Sequence, residues 1–335
     1  MRSRQLVTAV AALALTSVAS TPTPGQTAAQ DEGERSWTAP RTGDGQPDLQ
    51  GVWLSNNATP LQRPPAFADR ADLTEEEVAR LRDRAQRIFE NGKSAFATPE
   101  SAFFAALNDV ETYEAQSTSS SIGMVDLEFS GRTSLVVDPP DGRIPNLTAE
   151  ARARETAVDV GWDQKTGPED LNNFHRCVTT GVPRLGGNFG TGPYTFYQLI
   201  QTPNYVVIVM EAFHDARIIP LDGPPTIPNR IRQWNGDSRG HWEGDTLVVE
   251  TGNFSADSYF RGATANLELV ERFTRTADDT LTYELTFTDP TTWATSWTAE
   301  TLLSRREEAT YEFACHEGNR SLVGMLRTAR LLEQR

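Results

Sequence analysis

Residues 280–288 read TLTYELTFT. Leu281, Tyr283, Leu285 and Phe287 alternate with Thr282, Glu284, Thr286 and Thr288. A period of two puts one apolar and one polar face on an extended strand. One buried face and one wet face belong to an antiparallel sheet. Working outward, LELVERFTR precedes this stretch across the short turn Ala277-Asp278-Asp279, and SWTAETLLS follows it. From Tyr194 to about Phe313 the chain reads as strands and tight turns, with further candidates TFYQLIQT, YVVIVMEAF, DARIIPL, IRQWNG, SRGHW, TLVVETGNF and TYEFA. The turn Glu243-Gly244-Asp245 is short enough for a hairpin. No strand alternates with a helical pattern and no Gly-x-Gly-x-x-Gly follows a strand, which excludes a doubly wound nucleotide-binding sheet. The expected fold is mainly β: an antiparallel meander that closes into a barrel, since closure removes exposed edges.

The remaining segments divide the chain further. Arg2 and Arg4 precede an apolar run from Leu6 to Ala19, about 14 residues, followed by small and polar residues. That is the layout of a secretory signal peptide, and the run is shorter than the roughly 20 residues a membrane span needs. Residues 1–29 are therefore expected to be removed, leaving a protein that is periplasmic or secreted and does not insert in a membrane. Residues 30–73 are rich in Pro, Gly, Asp and Gln and read as an extended arm. Thr74 and Glu77 form a capping box ahead of Val78, Leu81, Ala85 and Ile88, which opens a helix ending near Asn91-Gly92. Residues 74–193 thus hold a helix and irregular chain packed on the barrel, including a short strand Thr133–Val137 stopped by Pro139 and Pro140. Residues 194–335 form the barrel, with a C-terminal helix over Asn319–Glu333 on its wall.

Composition narrows the partners. With 31 basic and 46 acidic residues the net charge is −15, the wrong sign for phosphate neutralisation, so no nucleic acid is expected. Hydrophobic residues at 38% and charged residues at 23% are those of a folded globular chain.

The segments RTSLVVDPPDGRIP, QTPNYVVIVMEAFHDARIIPLDG, GDSRGHWEGDTLVVETGNF, ERFTR, DPTTWATSWTAE and CHEGN resemble a large family of exported bacterial proteins, most of them without a settled activity. The resemblance spans roughly 200 residues from Arg132 onward and implies export and a β-rich body. In that family the position of His241 is commonly basic, which weakens His241 as a catalytic candidate. In addition, Gly51 and Trp53 in DLQGVW, the meander and the terminal helix resemble the lipocalin-like group, where such a Trp plugs one end of the barrel.

Chemistry-bearing residues are few. The two cysteines, Cys177 and Cys315, lie 138 residues apart. In an oxidising compartment they most simply pair, closing a loop worth up to about 5 kcal/mol in the chain-entropy model. The competing zinc reading, with His175 and His316 beside them, lacks a usual zinc spacing. His214 is the leading catalytic candidate. A continuous strand through 205–219 would set it between Ala212 and Ala216 on the face of Val206, Ile208, Met210 and Ile218. If that face lines the barrel, the imidazole sits beside room for a ligand and is suited to proton transfer. If the strand breaks at 214, His214 becomes a turn residue and the parity of Asp215 and Arg217 reverses. Asp215 could then orient the histidine, and Arg217 could receive a carboxylate or oxyanion.

The resulting expectation is an exported barrel enzyme acting on a small apolar or aromatic molecule by hydrolysis, hydration or elimination, with no cofactor and no metal. His214 is the acid-base residue and Asp215 its orienting partner. His316 or Glu211 is the second proton-transfer group, and Tyr197, Arg217, Arg239 and Trp242 position the substrate. The alternative is a non-catalytic carrier or sensor of a small hydrophobic ligand.

Overall fold

A computed structural model describes residues 37–90, 99–108, 127–158, 165–173, 175–179, 181–183, 195–223, 227–257, 260–263 and 265–334. The chain divides into two compact units, Met1–Trp37 and Thr38–Arg335, and the fold belongs to the second. The expected signal segment, residues 1–29, lies outside the described residues.

Ten strands form one antiparallel sheet among the described residues: β1 Gly51–Leu54, β2 Val136–Asp138, β3 Phe196–Gln201, β4 Tyr205–Met210, β5 Ala216–Pro220, β6 Asp237–Glu243, β7 Thr246–Gly252, β8 Glu268–Arg275, β9 Thr280–Thr288 and β10 Trp297–Arg306. Their order is β5-β4-β3-β1-β10-β9-β8-β7-β6, with β2 pairing β10 off this path. The antiparallel meander is as expected. Every odd residue from Leu281 to Phe287 is buried while its even neighbours are half-buried. Pairing from Glu268↔Thr288 to Arg275↔Leu281 then carries the pattern onto β8.

Three strand expectations need correction. IRQWNG and TYEFA form turns and irregular chain. The supposed arm is not loose: β1 lies inside it and sits between β3 and β10, with Trp53 facing Tyr197 on one side and Arg305 on the other. Its burial explains this placement. Trp53 is 0% exposed and its indole N–H donates to the Leu49 carbonyl at 2.9 Å, so the arm contributes a large apolar group with its polar handle satisfied. The Arg275 guanidinium lies 5.8 Å from the Trp53 ring centroid and donates to the Asp48 carbonyl. In the same core Phe287 lies 4.0 Å from Trp297 and 5.0 Å from Phe260.

The expected closure is corrected: among the described residues no strand ladder joins the two edges of the sheet. The edge strands β5 and β6 adjoin at a single parallel bridge, Leu221↔Gly240, where the Asp222 N–H donates to the Gly240 carbonyl at 3.0 Å. Gly240 is needed there for space. A Cβ at this position would lie 3.0 Å from Ile219 Cγ2 and 3.0 Å from Leu221 Cδ2, and any side chain would push the two edges apart.

The helices form outside this sheet. α1 (Glu75–Glu90) starts at the expected capping box: the Glu77 N–H donates to Thr74 Oγ1 and the Thr74 N–H to Glu77 Oε2. Together with α2 (Pro99–Leu107) it builds a small second core of Leu81, Ala85, Phe103 and Ala106 with Phe67 and Phe129. α3 is Ala149–Val158. The expected terminal helix is α4, Ser321–Leu332. Its expected place on the barrel wall is not where its hydrogen bonds run. Arg330 donates to the carbonyls of Lys165 and Thr166, and Asn319 just before it donates to His175 O and Cys177 Sγ.

Replacing Gly240 with Val is expected to destabilise the protein by about 1–3 kcal/mol through overpacking at the β5–β6 contact, read from urea unfolding. Gly252→Ala is the control, because a Cβ there meets nothing within 4 Å, and it should be neutral or slightly stabilising.

Candidate functional site

The site is built by a corner. After β4 the chain does not continue as a strand: Ala212–His214 make a single 3-10 turn in which Phe213 and His214 take φ of 62° and 52°. The Met210 N–H donates to the Asp215 carbonyl, so β5 folds back as the next strand of the meander. The extra turn reverses parity. In β4 the even residues Val206, Ile208 and Met210 are buried, whereas in β5 the buried residues are Arg217 and Ile219.

An arginine is thereby directed into the barrel, where its environment accommodates it. Arg217 Nη1 donates to Glu271 Oε1 at 3.0 Å and Nη2 to Glu271 Oε2 at 2.5 Å. Nη2 also donates to Ser238 Oγ and Thr251 Oγ1, each at 3.1 Å, and the Tyr283 hydroxyl donates to Glu271 Oε1 at 2.5 Å. The side chains of Arg217 and Glu271 are 7% and 0% exposed. Taking two charges out of water is costly, and a two-pronged pair with its remaining oxygens hydrogen-bonded is the geometry that recovers the cost. Burial works against the Arg217 cation, yet the Glu271 carboxylate outweighs it and holds the guanidinium more basic than usual. Burial, reinforced by Glu271, pushes the Tyr283 hydroxyl well above its ordinary range, so at neutral pH Tyr283 is a donor and not a base. Arg217 Nε is buried with no hydrogen-bond partner.

Beside this pair lies a cavity of about 10 Å³ whose walls include Val182, Pro183, Tyr197, Met210, Arg217 and Tyr283. Its volume is about what one buried water requires. The surrounding walls are apolar, with Leu199, Ile208, Phe273 and Leu303 completing them. Val182 and Pro183 belong to no strand, so this part of the wall is held by packing and not by a ladder.

The expected catalytic set does not gather at this cavity. His214 is exposed at the corner, where its Nε2 accepts the Phe313 N–H at 3.2 Å, and the Phe213 and Phe313 rings meet edge to face at 5.0 Å. The continuous strand that would have set His214 inside is broken by the two positive φ values, so the inward reading of His214 is corrected. Asp215 Oδ2 accepts the Thr179 hydroxyl at 2.6 Å. Glu211, expected as a second proton-transfer group, is 7% exposed at the start of the corner, its N–H donating to the Phe196 carbonyl, and does not line the cavity. His316 is exposed. Arg239 lies on the outer side of β6, paired with Asp237 at 2.7 Å, and Trp242 packs against the main core. Of the proposed site residues, Tyr197 and Arg217 line the cavity. Arg217 is not open to a carboxylate, since Glu271 already occupies its fork.

Two members of the site, Glu271 and Tyr283, escaped the sequence reading. A signal was present for Glu271: in LELVERFTR it shares parity with Leu269 and Phe273, and an acid on an apolar strand face calls for a buried partner. For the expected disulfide, Cys177 and Cys315 are bonded, with Cα atoms 5.7 Å apart. Among the described residues, no group of three or more His, Cys, Asp or Glu side chains is placed to hold a metal ion.

No protein-family model matches the chain, and no curated protein matches it. Among solved structures it is similar to a secretary abundant heat soluble (SAHS) protein from Ramazzottius varieornatus (from dimer sample), with a TM-score of 0.25 and 13% identity, covering 49% of this chain and 88% of that chain.

Removing one partner of the buried pair, as in Glu271→Ala, should cost about 3–5 kcal/mol, whereas Arg217→Met with Glu271→Leu together should cost much less, since no uncompensated charge is left. Chemical denaturation of the single and double variants checks this. His214→Gln, at an exposed corner, should stay within about 0.5 kcal/mol of the native protein in the same measurement.

Proposed function

We propose that the protein is an exported, non-catalytic barrel that binds a small, largely apolar or aromatic molecule beside Arg217 and Tyr283. The observation that carries this reading is a buried arginine, paired with Glu271, beside a small cavity whose walls are mostly apolar side chains with two tyrosines. Binding pockets combine apolar walls with a few converging polar groups, and that is the composition here.

A ligand larger than water must displace part of the wall. Val182 and Pro183 can move without breaking ladder hydrogen bonds, and Met210 adds an adaptable side chain. The His-based enzyme is the less supported of the two readings, because the exposed positions of His214 and His316 keep both outside the cavity. Export is supported by the signal-like first 29 residues and by the bonded cysteines, which suit an oxidising compartment. Among the described residues no helix is long and apolar enough to cross a membrane. Membership of the exported bacterial family rests on the long motifs from Arg132 to Asn319.

Protein purified from its native host should release one small apolar compound on organic extraction, seen by mass spectrometry, and re-addition of that compound should raise the melting temperature of stripped protein. Arg217→Met, with Glu271→Leu to keep the interior neutral, should weaken that shift. An empty extract together with no stabilisation by a panel of neutral aromatic and aliphatic compounds overturns the reading.

A further inference from the structure

The segment between β10 and α4 fastens the barrel where its ladder is missing. We propose that the Cys177–Cys315 disulfide is a redox-sensitive catch: its reduction by a dithiol frees this segment and parts the β5 and β6 edges beside the corner, while the contact at Gly240 holds.

Residues 307–320 belong to no helix or strand, yet they touch two separate pieces of the protein. Phe313 meets the corner, its N–H donating to His214 Nε2 at 3.2 Å and its ring lying edge to face on Phe213. Two residues on, Cys315 is bonded to Cys177, and Asn319 donates to the His175 carbonyl and to Cys177 Sγ. Close to this tie, Thr179 is 3% exposed and bridges the two edges of the sheet. Its hydroxyl donates to Asp215 Oδ2 at 2.6 Å and lies 2.9 Å from the side-chain amide of Asn235. Asp215 immediately precedes β5, and Asn235 stands just ahead of β6. The disulfide therefore anchors the side chain that spans the gap at this end. Past the other end of β5 the edges meet backbone to backbone through Leu221↔Gly240, with the Arg217–Ser238 hydrogen bond between the two. Opening at the disulfide end breaks no strand ladder.

Two features make the bond reducible in the folded protein. Cys177 takes a φ of 55°, a left-handed conformation that crowds any residue bearing a Cβ, and breaking the bond lets it relax. Cys315 is the more accessible partner, half-buried on a largely exposed stretch, whereas Cys177 is 6% exposed. Strained or exposed disulfides are the more oxidising and the more labile ones. A thiolate of the dithiol attacks Cys315 Sγ, a mixed disulfide forms, and Cys177 leaves as a thiolate that takes up a proton. The second thiol of the reductant then closes its own disulfide and releases Cys315. Two electrons and two protons pass from the dithiol to the two cysteines. The only covalent cross-link in the chain is then gone.

Hydrogen exchange read by mass spectrometry, on the full-length protein without denaturant, compares the oxidised form with protein reduced by dithiothreitol. Amides of residues 175–179, 211–217 and 235–239 should exchange about tenfold or more faster after reduction. Those of residues 221–222 and of β8, β9 and β10 should keep their protection, and reoxidation should restore the first pattern. Cys315→Ser should show the open pattern with no reductant and no further response to dithiothreitol. A bond that resists dithiothreitol until the protein is denatured overturns the proposal. So does unchanged exchange at the three stretches, or a rise shared by every strand, which marks an ordinary structural cross-link. If Cys315→Ser does not fold, the oxidised and reduced native protein decide alone. None of these readouts involves a bound ligand.

Discussion

The barrel depends on one buried ion pair. Its sheet has two edges that meet at a single backbone bridge, yet Arg217 of β5 reaches Ser238 of β6, Thr251 of β7 and Glu271 of β8. Four strands on the two sides of the gap are thus joined by side chains where the ladder is missing. A salt bridge in this position contributes little net stability compared with a well-packed apolar substitute, but it penalises any arrangement that leaves one charge alone. Sliding β5 along or flipping its parity would do that. The pair therefore works as a registry device for the strand that follows the irregular corner.

Much of the sheet was legible because burial on one side imposes a period of two. TLTYELTFT and LELVERFTR show it directly, and the alternation of Leu281, Tyr283, Leu285 and Phe287 is the observed core. The box of Thr74 and Glu77 was legible for a different reason: capping is local chemistry between residues three apart. The disulfide followed from counting two cysteines in a chain with an export-like start. What stayed open between a straight strand and a break at 214 was conformational. Phe213 and His214 adopt positive φ without being glycine, asparagine or aspartate, and no composition signal announces that. One such corner inverted the inside and outside of everything assigned to β5. Strand β1 was legible only through the resemblance of Gly51 and Trp53 to a lipocalin-like first strand, since four residues are too few to display a period.

The consequences for the site follow the same logic. A histidine between two alanines on an apolar face is a good candidate only while the strand stays straight. Once the chain turns, the polar residue delivered to the interior is Arg217, and the acid that receives it is an inward Glu271 whose parity could have been read from the sequence. Tyr197 reaches the cavity because β3 alternates regularly, with Tyr197 and Leu199 buried. Burial and Glu271 keep the Tyr283 hydroxyl protonated, and the Glu271 carboxylate keeps Arg217 charged.

The position of β1 bears on how such a chain can be assembled during synthesis. Its two neighbours are β3 and β10, so a segment made early waits for nearly the whole polypeptide before both of its flanks exist. Pairings this distant in sequence are slow to form, because the intervening loops must close first. This inner strand of the sheet is consequently among the last to be secured on both sides, and β5-β4-β3 stay parted from β9-β8-β7-β6 until β10 has been made.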